Sequence, residues 1–253
     1  MPRNDDQILN RSNIPKGRDY KVAIICGDHK RFEIFKEHST GYRDFGTYLC
    51  WKGAELFYDG EYILLASHGV GSHPTYVVVR ELIELGVKCI IRSGTCGTYR
   101  PDIRSTGDIC ICYGAIRNDS SCLGDADLAY PAVAHPNVFE ALRDASEALG
   151  IPTHLGMSYS SDLFYRRDIT NDPRDTYAKY KEVVIEDTDN SAVLLLCNLY
   201  GVWGGALCTI DGCPLEWDKG NYQPHTEKMQ HGKTNMVKLA MHAAANLSRQ
   251  LKA

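Results

Sequence analysis

No run in this 253-residue chain approaches the roughly 18 consecutive apolar residues of a membrane-crossing helix. The opening Met-Pro-Arg-Asn-Asp-Asp lacks the apolar core of a secretory signal. Charge of one sign is also lacking: 28 Lys and Arg face 32 Asp and Glu, a formal net charge of -4. A nucleic-acid footprint is therefore not expected, and neither is a membrane partner. The motifs GxxxxGK[ST], GxGxxG after a strand, HExxH and GxSxG are missing, which removes the common routes to nucleotide cradles, zinc proteases and serine hydrolases. There is no CxxC pair, no internal repeat, no low-complexity segment and no linker. Cysteine itself is plentiful, at ten residues, but Cys26, Cys89, Cys110, Cys112, Cys197 and Cys208 sit inside apolar runs. Their spacing fits no common zinc site, so they read as reduced, small hydrophobes in a cytoplasmic protein without a metal.

What is present is a regular alternation of short apolar runs and helical periodicity. Lys21 to Cys26 reads as a strand, and Gly46 to Ser67 as antiparallel strands with a hairpin at Asp59-Gly60. A helix is expected from about His73 to Leu85, with Tyr76, Val79, Leu82 and Ile83 inward and Gly86 as its stop. Val87 to Ile91 is a strand buried on both faces, after which the chain is expected to turn abruptly. Further strands are expected at Gly107–Ala115, Thr153–Ser158, Val183–Glu186 and Gly204–Ile210. Helices are expected at Pro136–Leu149, Ala192–Tyr200 and Thr226–Leu251. The pattern predicts one α/β domain over 20–253 after a polar arm over 1–19. Its architecture is a three-layer α/β/α sandwich with a mixed, mostly parallel central sheet.

Chemistry-bearing residues collect where those strands end, the place where an open α/β sheet presents ligand groups. Gly27-Asp28-His29-Lys30-Arg31 closes the first strand, and Arg92-Ser93-Gly94-Thr95-Cys96-Gly97 follows the central one. Two arginines and a hydroxyl suit a dianion, and glycines let backbone N–H groups approach it. Asp187 and Asp189 follow another strand and suit sugar hydroxyls. Asp211, after the last strand, suits proton transfer. Phe164 and Trp217 offer flat faces to a ring. Taken singly, each also reads as a cap, an ion pair or a turn; His68 and His73 read as structural. As a set, they describe a site for an anion, a polyol and a flat base.

Five segments in order resemble the nucleoside phosphorylase family of the hexameric purine nucleoside phosphorylase and uridine phosphorylase type. Gly27 to Arg31 is similar to its GDPxR corner, with His29 in place of proline. Ser67-His68-Gly69-Val70-Gly71 is similar to its HGxG segment, and Ile91 to Gly97 to its IR-x-G-[ST]-x-G strand end. Ser161-Asp162-Leu163-Phe164-Tyr165 resembles the SD-x-[FY]-Y segment. Asp211-Gly212-Cys213-Pro214-Leu215-Glu216-Trp217-Asp218 resembles most the apicomplexan branch. The resemblance implies phosphorolysis of purine nucleosides to free base and ribose 1-phosphate in nucleoside salvage. Phosphate is the co-substrate and no further cofactor is implied. It also implies a homohexamer built as a trimer of dimers. By the same carry-over, Gly27, Arg31, Arg92 and Thr95 hold phosphate, joined by Arg43 from a neighbouring subunit. Asp187, Thr188 and Asp189 hold the sugar, Cys96, Gly97, Phe164 and Trp217 line the base, and Asp211 serves N7 of the leaving purine. A uridine phosphorylase is the near alternative, and a weakly active or non-catalytic nucleoside binder the further one.

Two departures bear on the sugar. The family's E-M-E triplet falls on Asp187-Thr188-Asp189, whose second acid is one methylene short, a retreat of about 1.5 Å; a one-residue slip brings Glu186 in instead. The histidine that the family lends across subunits is absent, with Arg11 near its place. The Gln-x-Arg pair with which uridine phosphorylases read uracil is also absent from Arg166-Arg167-Asp168-Ile169-Thr170, which favours purines, while Thr95 pulls weakly towards pyrimidines.

Overall fold

Strand β1 (Val22–Cys26) shows why the sheet lies in the middle of the molecule. Val22, Ile24 and Cys26 enter one apolar core, while Ala23 and Ile25 enter another on the opposite face. Successive side chains of a strand point to opposite faces, so an unbroken apolar run requires cover on both. The computed structural model describes residues 14–15 and 19–253 except 123, 166, 168 and 169. The arm expected over 1–19, and Arg11 with it, therefore lies almost wholly outside the described residues.

β1 runs parallel to β4 (Glu61–Ser67) on one side and β5 (Cys89–Thr98) on the other. β3 (Trp51–Tyr58) and β2 (Gly41–Tyr48) extend the sheet antiparallel beyond β4. The β3–β4 hairpin turns through Asp59 at φ 50° and Gly60 at φ 79°, the left-handed pair that a tight hairpin demands. On the far side β5 pairs in parallel with β10 (Trp203–Gly212), which pairs antiparallel with β6 (Ile109–Asn118). β6 is parallel to β8 (Thr153–Ser161), and β8 to β9 (Val183–Asp187). A two-residue β7 (Ala132–Val133) flanks β6.

The expected mixed sheet between two helical layers is present. Helices α2 (Ser72–Glu84) and α5 (Asn190–Leu199) cover one face, and a one-turn α4 (Arg174–Tyr177) precedes β9. Helices α1 (Phe32–His38), α3 (Pro136–Leu149) and α6 (Glu227–Lys252) cover the other. Gly86, at φ 91°, stops α2, and the Thr226 hydroxyl caps α6 by accepting from Met229 N at 3.3 Å. Phe32 and Phe35 of α1 are fully buried, and truncating either to alanine costs about 3–5 kcal/mol.

One expectation is corrected. The chain does not turn after Ile91; β5 continues to Thr98. Arg92 and the glycines are strand residues because both flanks of this extension are paired. β10 continues beside it from Arg92 to Gly97, and β9 returns antiparallel at Gly97 and Thr98. The second pairing closes β5, β10, β6, β8 and β9 into a ring, so none of these strands is left as an open edge. The sequence motifs therefore hang on the rim of a partly closed barrel.

Candidate active site

A cavity of about 220 Å³ opens at the C-terminal ends of β1, β5, β9 and β10. Asp28 caps a 3-10 turn at His29–Arg31 by accepting from Lys30 N at 2.9 Å. That turn swings the Arg31 guanidinium inward, where Nη1 donates to the Ser93 carbonyl at 2.6 Å. The first strand end and the central strand are thereby joined through one arginine, which is buried. Gly27 is held against the end of β4, where Gly69 N donates to Gly27 O at 3.1 Å. A Cβ at Gly27 would stand 2.8 Å from the Gly69 oxygen, so only glycine permits this approach.

Arg92, on β5, folds its guanidinium back over Gly94, where a Cβ would lie 2.3 Å from Nη1. Nη1 donates to Asn190 Oδ1 at 2.7 Å and lies 3.1 Å from Asp187 Oδ2, while Nη2 pairs with Asp189. Burial opposes the charge on this group, but Asp189, Cys208 and Asp187 outweigh it and hold Arg92 protonated. Asp189 is also engaged by Gly71 N and Thr75 Oγ1, both at 2.9 Å, and by Thr188 Oγ1 at 3.0 Å. Burial pushes Asp189 up, but Arg92 and His68 more than offset it and hold the carboxyl below its ordinary value. Asp187 accepts from Ser160 Oγ at 2.7 Å and from the first amides of α5, Asp189 N at 3.0 Å and Asn190 N at 2.7 Å. Burial pushes it up to about 7, against the pull of Arg92.

All three members of the expected sugar triplet, Asp187, Thr188 and Asp189, line the cavity, as does Glu186 from the slipped register. Both Asp189 oxygens already face protein donors, and Glu186 is gripped by Arg174 Nε at 2.7 and 2.8 Å. Neither register offers a carboxylate without a partner of its own.

The opposite wall is aromatic. Phe164 and Trp217 pack at 4.8 Å between centroids, with planes 35° apart, and Tyr222 follows Trp217 at 5.3 Å. Cys96 and Gly97 form the adjacent floor. Gly97 is pressed on Pro214, whose Cγ would be 2.4 Å from any Cβ placed there. Asp211, at the end of β10, faces the same cavity. Burial pushes its carboxyl up to about 7, with Lys233 opposing. Thr95 lines the cavity beside Arg92.

Arg43 is the one candidate that this chain does not bring in. It lies on β2 with its guanidinium 5.6 Å from the Phe45 ring centroid, in a separate shallow hollow beside Glu55. His68 is buried, with Nδ1 2.8 Å from Thr75 Oγ1, and burial pushes it down to about 4; His73 is exposed on the first turn of α2. Tyr222, which lines the cavity, and Arg174, which supports it, escaped sequence reasoning, and Pro214 was given no role within its segment. Buried Arg174 binds Glu186, Asp172 and the carbonyls of Leu163, Phe164 and Tyr165, and so shapes the segment that presents Phe164. Nothing in its neighbourhood along the chain signals that role.

The family model described as "Phosphorylase superfamily" matches residues 21–245. The purine nucleoside phosphorylase of Plasmodium falciparum (isolate 3D7) is 34% identical over 245 residues, covering 96% of this chain and 98% of that protein. The purine nucleoside phosphorylase of Plasmodium vivax is 32% identical, covering 97% and 99%. The uridine phosphorylase of Escherichia coli (strain K12) is 28% identical, covering 89% and 92%. Among solved structures, the purine nucleoside phosphorylase from Toxoplasma gondii in complex with immucillin-H superimposes with a TM-score of 0.88 at 34% identity. It covers 96% of this chain and 95% of that one.

Proposed function

This chain belongs to the phosphorylase superfamily, and from that premise we propose that it is a pentosyltransferase that phosphorolyses purine nucleosides to free base and ribose 1-phosphate. One observation carries the reading. Arg31, beyond the end of β1, and Arg92, within β5, line a single cavity whose far wall is Asp211, Phe164 and Trp217. In this reading Gly27, Arg31, Arg92 and Thr95 hold inorganic phosphate beneath the anomeric carbon. The base lies on Cys96 and Gly97 against Phe164 and Trp217. As the glycosidic bond lengthens, positive charge grows on the sugar and negative charge on the base. The arginines fix the phosphate in line at no further reorganisation cost, in a site mostly withdrawn from water. Asp211, pushed up to about 7 by burial, is protonated in part near neutral pH and donates towards N7 of the leaving purine.

The engagement of Asp189 by Arg92, Thr75 and Thr188 favours a weaker grip on ribose than a longer acid would give. A slow or non-catalytic nucleoside binder is the reading that this observation supports in second place. The separation of Arg43 from its own cavity fits donation to a neighbour, within a hexamer built as a trimer of dimers. No helix among the described residues is long and apolar enough to cross a membrane. A cytoplasmic role in nucleoside salvage, with nucleoside and phosphate as its substrates, completes the proposal.

Incubation with inosine, adenosine and uridine, with and without phosphate, tests it. Phosphate-dependent release of hypoxanthine or adenine is expected. Faster turnover of uridine would reassign the base. Turnover indifferent to phosphate would mean hydrolysis, and binding without turnover would mean a non-catalytic relative.

A further inference from the structure

Behind the loop that follows Asp211 lies a second cavity, of about 230 Å³. The chain leaves β10 at Gly212, passes through a 3-10 turn at Trp217–Lys219 and returns so that Gly212 bridges Tyr222. Cys213 N donates to Asn221 O at 2.9 Å, and Gln223 N to Asp211 O at 2.7 Å, which closes the loop on itself. Pro214, Trp217 and Tyr222 face the cavity already described. Gly212, Asn221 and Gln223 face the second one.

The other wall of this second cavity is the connection from β5 to β6, and it is firmly built. Arg104 N donates to Arg100 O at 2.9 Å, and Gly107 N to Ile210 O at 2.8 Å. Gly107 has φ 91°, and a Cβ there would lie 2.6 Å from Lys228 O, so the connection is pressed against the start of α6. Arg104 lines the cavity with Nε and Nη1 buried, and among the described residues neither atom finds an acceptor. Lys228 supplies a second cation, its Nζ bonded to Ser105 Oγ and 3.8 Å from Asp108 Oδ1. No described Asp or Glu lines the cavity. Asp102 lies near enough to feel Arg104, but it is ion-paired to Arg100 at 2.9 Å.

Buried guanidinium N–H groups without acceptors are costly, and most side-chain donors placed this way have a partner. We propose that this cavity is a second anion site, with Arg104 as its chief ligand and Lys228 as its supporting cation, for inorganic phosphate or the phosphate of a small monoester. A guanidinium presents a planar fork that matches phosphate oxygens, and a cavity lined by two cations and by no described carboxylate selects an anion over a neutral guest, although Lys228 is shared with Asp108. The site is independent of the nucleoside reading, since it shares no lining residue with the first cavity.

Equilibrium dialysis of the full chain against radiolabelled phosphate tests the inference. Wild type is expected to bind two phosphates per chain, and Arg104→Ala and Arg104→Gln one. Arg104→Lys should keep the site at least tenfold weaker, because it retains the charge but loses the fork. In an Arg31→Ala background only the Arg104 site should remain. There, displacement of phosphate by ribose 5-phosphate assigns the site to a monoester, and failure to displace assigns it to the inorganic ion. If folded Arg104→Ala and Arg104→Gln proteins bind as much phosphate as wild type, the proposal is overturned. If they instead change only the sedimenting mass, Arg104 is a subunit contact and the proposal falls as well. A wild type that binds one phosphate, lost on Arg104→Ala and kept on Arg31→Ala, would uphold this site while removing the phosphorolysis reading.

Discussion

Replacing Asp211 by asparagine isolates the one carboxyl assigned to proton delivery. Burial pushes that carboxyl up to about 7 from an ordinary 3.8. Near pH 7 about half of the molecules then carry the proton, whereas an unperturbed carboxyl would be protonated roughly once in a thousand. The elevated value is what makes Asp211 a usable acid. Asparagine keeps the shape and can still donate a hydrogen bond, but it has no proton to give. We expect kcat on inosine to fall by about 10²- to 10⁴-fold while the KM for phosphate stays within a few-fold. In wild type, kcat/KM should decline as pH rises through about 7; in Asp211→Asn that limb should vanish. Stability should move the other way. A carboxyl raised in the folded state costs nothing below its unfolded value. The penalty grows as pH climbs past 3.8 and is complete above about 7. Asp211→Asn should therefore match wild type near pH 4 and exceed it near pH 8, with a ceiling of about 4 kcal/mol. Denaturant melts at both pH values, beside a pH–rate profile, supply the readings. An Asp211→Asn enzyme with wild-type kcat and an unchanged profile would remove this residue from the chemistry.

Other perturbations have equally definite outcomes. Arg92→Ala leaves Asp189 and Asp187 buried without their cation, so urea melts should show a loss of about 3–5 kcal/mol. Phosphate saturation of any folded fraction should shift to much higher concentration, and an unchanged phosphate KM would refute its assignment. Asp189→Glu carries the carboxylate about 1.5 Å further into the cavity, and one new charged hydrogen bond to a ribose hydroxyl is worth about 1.5–3 kcal/mol. Ribonucleoside kcat/KM should rise tenfold or more relative to 2′-deoxynucleosides, and no change in that ratio would mean that residue 189 does not read the sugar. Gly97→Ala drives a methyl into Pro214, so base affinity and turnover should both fall at least tenfold; unaltered inhibition by a free purine base would show that the loop yields without consequence.

Much of the site was legible because its chemistry travels in short segments. Gly27, Arg31, Arg92, Thr95, Cys96, Gly97, Phe164, Asp187, Thr188, Asp189, Asp211 and Trp217 all meet in one cavity. Strand–helix alternation was legible for the same reason, since periodicity is a local property. What escaped depends on contacts between remote residues. Glycine is a poor strand former, so Arg92 to Gly97 read as a turn; it is a strand because β10 and β9 pair with it, and glycine is required there because the Arg92 guanidinium and Pro214 occupy the space that side chains at Gly94 and Gly97 would take. The return of β9 to β5 rests on two residue pairs with no pattern of their own. Arg174 finds Glu186 and the backbone of Leu163 to Tyr165 only after folding. Arg43 carried the right charge, yet its strand faces a different hollow within the chain.

The pairing of β10 beside β5 has a consequence for how the molecule is made. Translation delivers Arg31 and Arg92 first, but the strand that must lie against β5, and Asp211 near its tip, leaves the ribosome more than a hundred residues later. Until then the long flank of β5 is bare backbone, a surface that chaperones would have to shelter. The cavity that Arg31, Arg92 and Asp211 share does not exist on the nascent chain, and a message cut short before β10 yields a product that cannot close its ring.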